Sequence, residues 1–224
     1  MKTFCNLKWS IQKIDKRHLD DIVSIHNEAF PHFFTTKLGS SFLKAMYGWF
    51  TENPLAIGYV ATNSAGNAIG FVVGASMSVA MYKKTLSKEK RIALILGIVK
   101  DILQCPSQAF LVINSVIHRT AHLISAILKR SRNRKELSVH SFSDAYLTSI
   151  AVLSDMRGTG VAQELLTTFV NEVKERGHFA IDLIVRDENI RAIRFYLKNA
   201  WKKRYGYPRS DGIPHSLFTY VFKG

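Results

Sequence analysis

Apolar and polar residues follow two different periods along this chain, and the switches between them mark out its elements. Residues 9–14 alternate, which predicts a strand. Over 16–30 the period lengthens to three and four, with Leu19, Ile22, Val23, Ile25 and Phe30 on roughly one side. That spacing predicts a helix capped by Asp15 and ended by Pro31. A second helix is expected over 40–50, where Phe42, Leu43, Met46, Tyr47 and Phe50 recur at the same spacing before Pro54. Strands at 57–62 and 68–75 follow, joined by a turn that contains Gly66. Beyond residue 140 the order is strand 145–152, helix 161–176, strand 180–185, helix 189–199 and a last strand near 217–222. Strand, helix, strand in succession implies a parallel pair within a mixed sheet. The expectation is one mixed α/β domain over residues 1–224, a twisted central sheet with helices on both faces. No internal repeat is visible.

Residues 82–140 break this rhythm. Two stretches, 92–103 and 109–128, are apolar, helical in length and basic at their margins, and we read 83–140 as a basic helical insertion. It holds 12 Lys or Arg against 3 Asp or Glu, so about a quarter of the chain carries most of its formal net charge of +14. Such a charge attracts anions: a phosphorylated cofactor, an acidic membrane surface or nucleic acid. Apolar helices flanked by Lys and Arg suit peripheral association with an anionic membrane, and they equally suit a hairpin packed on the sheet or on a partner subunit. The aromatics do not interleave with the basic run, so no nucleic acid is expected as a partner.

The remaining composition excludes more than it identifies. With 47% hydrophobic and 21% charged residues, the chain is neither disordered nor collagen-like. Cys5 and Cys105 alone make neither a disulfide framework nor a four-ligand zinc site, and no metal is expected. The N-terminus lacks the continuous apolar stretch of a secretory signal, and nowhere do 18 apolar residues run together. A cytoplasmic location is expected, at most peripheral to the inner face of the membrane.

The chemistry concentrates in LTSIAVLSDMRGTGVAQELLTTFV, residues 147–170. A strand ends at Val152, and Arg157, Gly158, Thr159 and Gly160 then open a helix that continues through Val161, Ala162, Leu165 and Phe169. Glycines at a helix mouth let backbone N–H groups approach a ligand, and those groups with the helix dipole and Arg157 suit a phosphate. A plain strand-to-helix turn with a surface arginine has the same pattern. Downstream, VRDENIRAIRFYLKNAW follows a second strand: Asn189 can cap the next helix, and Ala192, Phe195, Tyr196 and Asn199 recur at three and four.

Together these segments resemble the GCN5-related N-acetyltransferase (GNAT) superfamily. Arg157, Gly160 and Ala162 match its acetyl-CoA motif of Arg or Gln, any two, Gly, any one, Gly or Ala. Ile150, Ala151 and Val152 match its bulged strand. Asn189, Ala192 and the Phe195-Tyr196 pair match its next motif, which here ends in Ala200-Trp201 where the family has Gly-Phe. The strong match covers about residues 145–207.

The resemblance implies a twisted, mostly antiparallel sheet with a parallel splayed strand pair and flanking helices. It also implies acetyl-CoA (coenzyme A) as co-substrate and direct attack by an amine. The backbone of Ile150, Ala151 and Val152 would bond the pantetheine arm, with the N–H of Val152 facing the thioester oxygen. Arg157, Gly158, Thr159, Gly160, Val161 and Ala162 would hold the pyrophosphate. Asn189, with Ala192 and Phe195 on its helix, would bond the pantetheine end or shape the site. Tyr196 would protonate the departing thiolate. No general base stands out, because Thr148, Ser149 and Ile184 occupy the positions where relatives place a carboxylate. Asp182, Asp144, His26 and Glu28 are candidates, with His140 behind them.

The acceptor expected is a small-molecule primary amine. An amino sugar on a nucleotide or lipid carrier fits, because residues 26–47 resemble the start of acetyltransferases associated with polysaccharide biosynthesis. Phe30, Phe33, Phe34 and Tyr47 either wall such an acceptor or fill the core. A peptide or protein acceptor, and a non-catalytic module that binds a membrane or nucleic acid, are the alternatives; a monomer and a homodimer are both compatible with the sequence.

Overall fold

The computed structural model describes residues 8–77, 143–206 and 212–222. The insertion at 83–140 and His140 lie outside the described residues. Strand β1 (Trp9–Lys13) leads into a 3-10 turn, Lys16–His18, and helix α1 (Leu19–Ala29). Asp15 does act as a cap, but on the 3-10 turn: its carboxylate accepts the Arg17 N–H, and its own N–H donates to His18 Nδ1. Next come α2 (Phe34–Lys37), α3 (Ser40–Glu52), β2 (Ala56–Asn63) and β3 (Ala68–Ala75). The last part holds β4 (Tyr146–Val152), α4 (Val161–Glu175), β5 (Ala180–Arg186), α5 (Ile190–Lys198), β6 (Lys202–Gly206) and β7 (His215–Val221).

The strands form one sheet in the order β1-β2-β3-β4-β5-β7-β6. Every neighbouring pair is antiparallel except β4 with β5. Helices cover both faces. On one, Leu165, Phe169 and Val173 of α4 and Tyr196 of α5 pack on Val72, Leu147, Ile181, Leu183 and Phe218. On the other, Ile22 and Val23 of α1 and Leu43, Tyr47 and Phe50 of α3 pack on Val60, Phe71 and Val73.

The close seating of α4 has a cause in the sequence of β3. Gly70 and Gly74 alternate with larger residues and face α4. A Cβ on Gly74 would stand 2.5 Å from Phe169 Cζ, and one on Gly70 would stand 3.2 Å from Leu165 Cδ1, both on α4. Two elements went unanticipated. Helix α2 is a single turn, and β6 is a mostly exposed edge strand, KKRYG, whose lysines and arginine show no alternation.

Candidate active site

The distinctive feature of the sheet is what β4 and β5 fail to do. Their ladder consists of one pairing, Tyr146 with Asp182, beside the bond from the Asp182 N–H to the Ala145 carbonyl. Just beyond it the register of β4 against β3 slips: Leu147 pairs with Gly74 and Ser149 with Val73, leaving Thr148 as the extra residue of a β-bulge. The Leu153 N–H donates to the Ile69 carbonyl. By alternation, Ala151 also turns its backbone groups to β3, while those of Ile150 and Val152 point at the gap on the β5 side. On the opposite edge Ile184 and Arg186 follow Asp182 with the same orientation. The parallel pair therefore opens into a cleft edged by backbone donors and acceptors, as the resemblance implied. Its bulge lies at Thr148, two residues before the Ile150-Ala151-Val152 stretch expected to hold it.

The loop at the mouth of this cleft is compact. Thr159 Oγ1 donates to the Met156 carbonyl at 2.7 Å, and the Arg157 N–H bonds back to Ser154. Gly158 (φ 82°) and Gly160 (φ 104°) adopt left-handed backbone, which any side chain would strain. Gly160 is the N-cap of α4 and offers no capping side chain, so the N–H groups of Val161 and Ala162 in the first turn have no acceptor within the helix. With exposed Arg157 beside them, these groups can hold a pyrophosphate.

Tyr196 comes from α5, whose start Asn189 does cap: its Oδ1 accepts the Ala192 N–H at 3.1 Å. Tyr196 is buried against Phe195, Trp201 and Phe218. Burial, and then the nearby Tyr146, push its phenol pKa well above the ordinary value, so it keeps its proton.

His26 and Glu28 sit at the end of α1. His26 is buried; Nδ1 lies 2.6 Å from the Tyr47 hydroxyl and Nε2 lies 3.3 Å from Thr35 Oγ1. Burial lowers its pKa to about 4, and the ring is neutral at pH 7. Glu28 is exposed, and its Oε1 accepts the Ser154 N–H at 2.7 Å. Hydrogen bonds from Ser154 and the charge of Arg157 hold its pKa below the usual carboxylate value. Asp182 is buried and accepts from Thr219 Oγ1 and the Ser143 N–H; Asp144 pairs with His178.

Two of the candidate aromatics close over the cleft. Phe30 stacks on His26 and on Phe33, and the Arg186 guanidinium lies 4.2 Å above the Phe33 ring. The connection from α1 to α2 thus reaches across the gap to the last residue of β5. Arg186 went unnoticed in the sequence, although alternation already placed it on one face with Asp182 and Ile184. Tyr47 belongs to the core beneath this wall.

The model of the acetyltransferase (GNAT) family matches residues 119–201, a stretch that contains β4, the glycine loop, α4, β5 and α5. Residues 119–201 thus match a GNAT acetyltransferase domain. Solved structures agree in fold. The ribosomal-protein-S18-alanine N-acetyltransferase of Escherichia coli is 14% identical, with a TM-score of 0.56 and 97% of each chain covered. Arabidopsis thaliana NAA60 in complex with acetyl-CoA is 16% identical, with a TM-score of 0.57, 97% of this chain and 100% of that one. The PaiA N-acetyltransferase of Thermoplasma acidophilum in complex with coenzyme A is 12% identical, with a TM-score of 0.56, 96% of this chain and 100% of that one. Comparison with curated proteins gives no match. Acetyl-CoA is the co-substrate that this match supports, and the cleft, the loop and Arg157 fit its arm and pyrophosphate. Among the described residues no cluster of side chains could hold a metal ion, and no helix is long and apolar enough to cross a membrane.

Proposed function

We propose that this enzyme acetylates a primary amine of lowered basicity on a small acceptor, an amino sugar being the first choice. The observation that carries this reading is the absence of an available carboxylate on the described floor of the cleft. Thr148 and Ser149 stand there on β4 and Ile184 on β5, while both oxygens of Asp182 accept hydrogen bonds at the closed end of the ladder. His26 is a weak base with both ring nitrogens engaged, and Glu28 is held by Ser154. A site so equipped favours an amine that is already partly neutral at pH 7, unlike the side chain of lysine.

Acetyl-CoA supplies an activated acyl carbon with a thiolate leaving group. The backbone N–H of Val152 faces the place where negative charge grows on the acyl oxygen. Arg157 and the first turn of α4 fix the donor by its pyrophosphate, so that attack becomes effectively unimolecular. Tyr196 donates its hydroxyl proton to the departing sulfur and recovers one from solvent, while the amine releases one to water.

The α-amine of a peptide is the second reading. It too has a pKa near 8, and two of the structural neighbours named above are a protein-alanine acetyltransferase and NAA60. A panel of free and nucleotide-linked amino sugars, neutral peptides and lysine, assayed by release of free thiol, separates the two. Turnover of amino sugars is expected, with Tyr196→Phe lowering kcat by about 10²-fold. Turnover of peptides alone moves the assignment to the second reading, and turnover of lysine alone overturns both.

A further inference from the structure

Among the described residues, two buried side-chain polar atoms lack a hydrogen-bond partner: Thr148 Oγ1 and Trp201 Nε1. The indole of Trp201 lies among the rings of Tyr196 and Tyr220, at 5.6 and 5.7 Å, within the core on the α4 side and away from the cleft floor. Thr148 is on β4, next to the cleft. A buried hydroxyl without a partner is a standing cost to the fold, and such a group calls for a reason.

The position of Thr148 supplies one. Leu147 and Ile150 both pack toward the α4 core, so the bulge sends the two residues between them, Thr148 and Ser149, to the opposite face. That is the face roofed by Phe30 and Phe33 and crossed by Arg186. Thr148 also lies two residues past the single pairing of β4 with β5, near the point where the cleft begins. A threonine hydroxyl both donates and accepts, and it needs no change of charge to do so. The backbone edges of β4 and β5 suffice for the donor arm, which leaves this hydroxyl to the other reactant.

We propose that Thr148 seats the acceptor: its hydroxyl receives an N–H of the attacking primary amine and turns the nitrogen lone pair toward the acyl carbon. The assignment deepens the amine-acetylation reading above and rests on it.

Thr148→Val, nearly isosteric, and Thr148→Ser test it. Removing a buried unsatisfied hydroxyl should raise the Tm of the free protein by about 2–4 °C while activity falls. With the acceptor that the native enzyme acetylates in the panel, kcat/KM should drop about tenfold in the Val variant and recover in the Ser variant. The acetyl-CoA Kd, read by calorimetry, should stay within twofold. A lower Tm would make the hydroxyl part of the fold, and a Kd weakened tenfold would assign it to the donor arm; either overturns the proposal, even if the panel yields no acetylated amine. Unchanged kcat/KM in the Val variant also overturns it. Failure of the native enzyme on every amine, with acetyl-CoA still bound, refutes the broader reading instead.

Discussion

Ala200 adopts a left-handed backbone conformation (φ 64°), the one non-glycine residue among those described to do so. It lies two residues past the end of α5, where the Trp201 N–H turns back to the Tyr196 carbonyl, and the family motif has glycine at this place. An L side chain in that region costs about 1 kcal/mol, partly offset by the lower entropy of alanine in the unfolded chain. Ala200→Gly should therefore stabilise the protein by about 0.5–1 kcal/mol in urea denaturation without altering acetyl-CoA binding. His26 makes a pH-dependent contribution. Its folded pKa of about 4 lies below the ordinary 6.5, so between these values the unfolded chain takes up a proton that the folded one refuses. Stability is full above pH 6.5, declines as pH falls, and levels off near pH 4. From pH 7 to pH 5 the loss from this group is about 2 kcal/mol. Denaturation at the two pH values checks it, and His26→Gln should remove that share of the difference. The neutral, doubly bonded state of this ring was invisible in the sequence, because it depends on Tyr47 and Thr35 arriving from two other helices.

At the scale of elements, α1 and the donor loop are joined through Glu28 and Ser154. The sequence marked Glu28 as a proton acceptor from its place near the end of a helix. Its bond to the Ser154 N–H holds the backbone between Val152 and Arg157, which suits a positioning part as well. The two substitutions that distinguish these roles act in opposite directions. Glu28→Gln keeps an oxygen for the Ser154 N–H and removes a negative charge near Arg157, so acetyl-CoA should bind as tightly or more tightly. Glu28→Ala loses the bond, and calorimetry should show binding weakened about three- to tenfold. A Gln variant with unchanged binding but kcat reduced a hundredfold would restore the base role. Elements set by local periodicity, such as α4, α5 and the strands β2, β3 and β4, were legible to within a few residues. Helix α2 and strand β6 were not, because one turn carries too little periodicity and an edge strand of lysine and arginine takes its conformation from β7. The bulge was expected on the right strand but located late, since register is a property of the β3–β4 pair and not of β4 alone.

For the whole molecule, the order of strands and helices along the chain was enough to foresee a mixed sheet covered on both faces. The closing wall of Phe33 and Arg186 was not, because nothing local links residues more than 150 positions apart. The single Tyr146–Asp182 pairing has a mechanical meaning. It divides the sheet into two leaves, β1 to β4 and β5 with β7 and β6, which share a core on the α4 side and meet along their backbones only at one end. A pantetheine arm laid in the cleft, as proposed above, would stitch the open margin, so that the substrate would serve as the missing seam of the protein that consumes it. Each turnover then begins by sewing the two leaves together and finishes only when the spent thread has been drawn out.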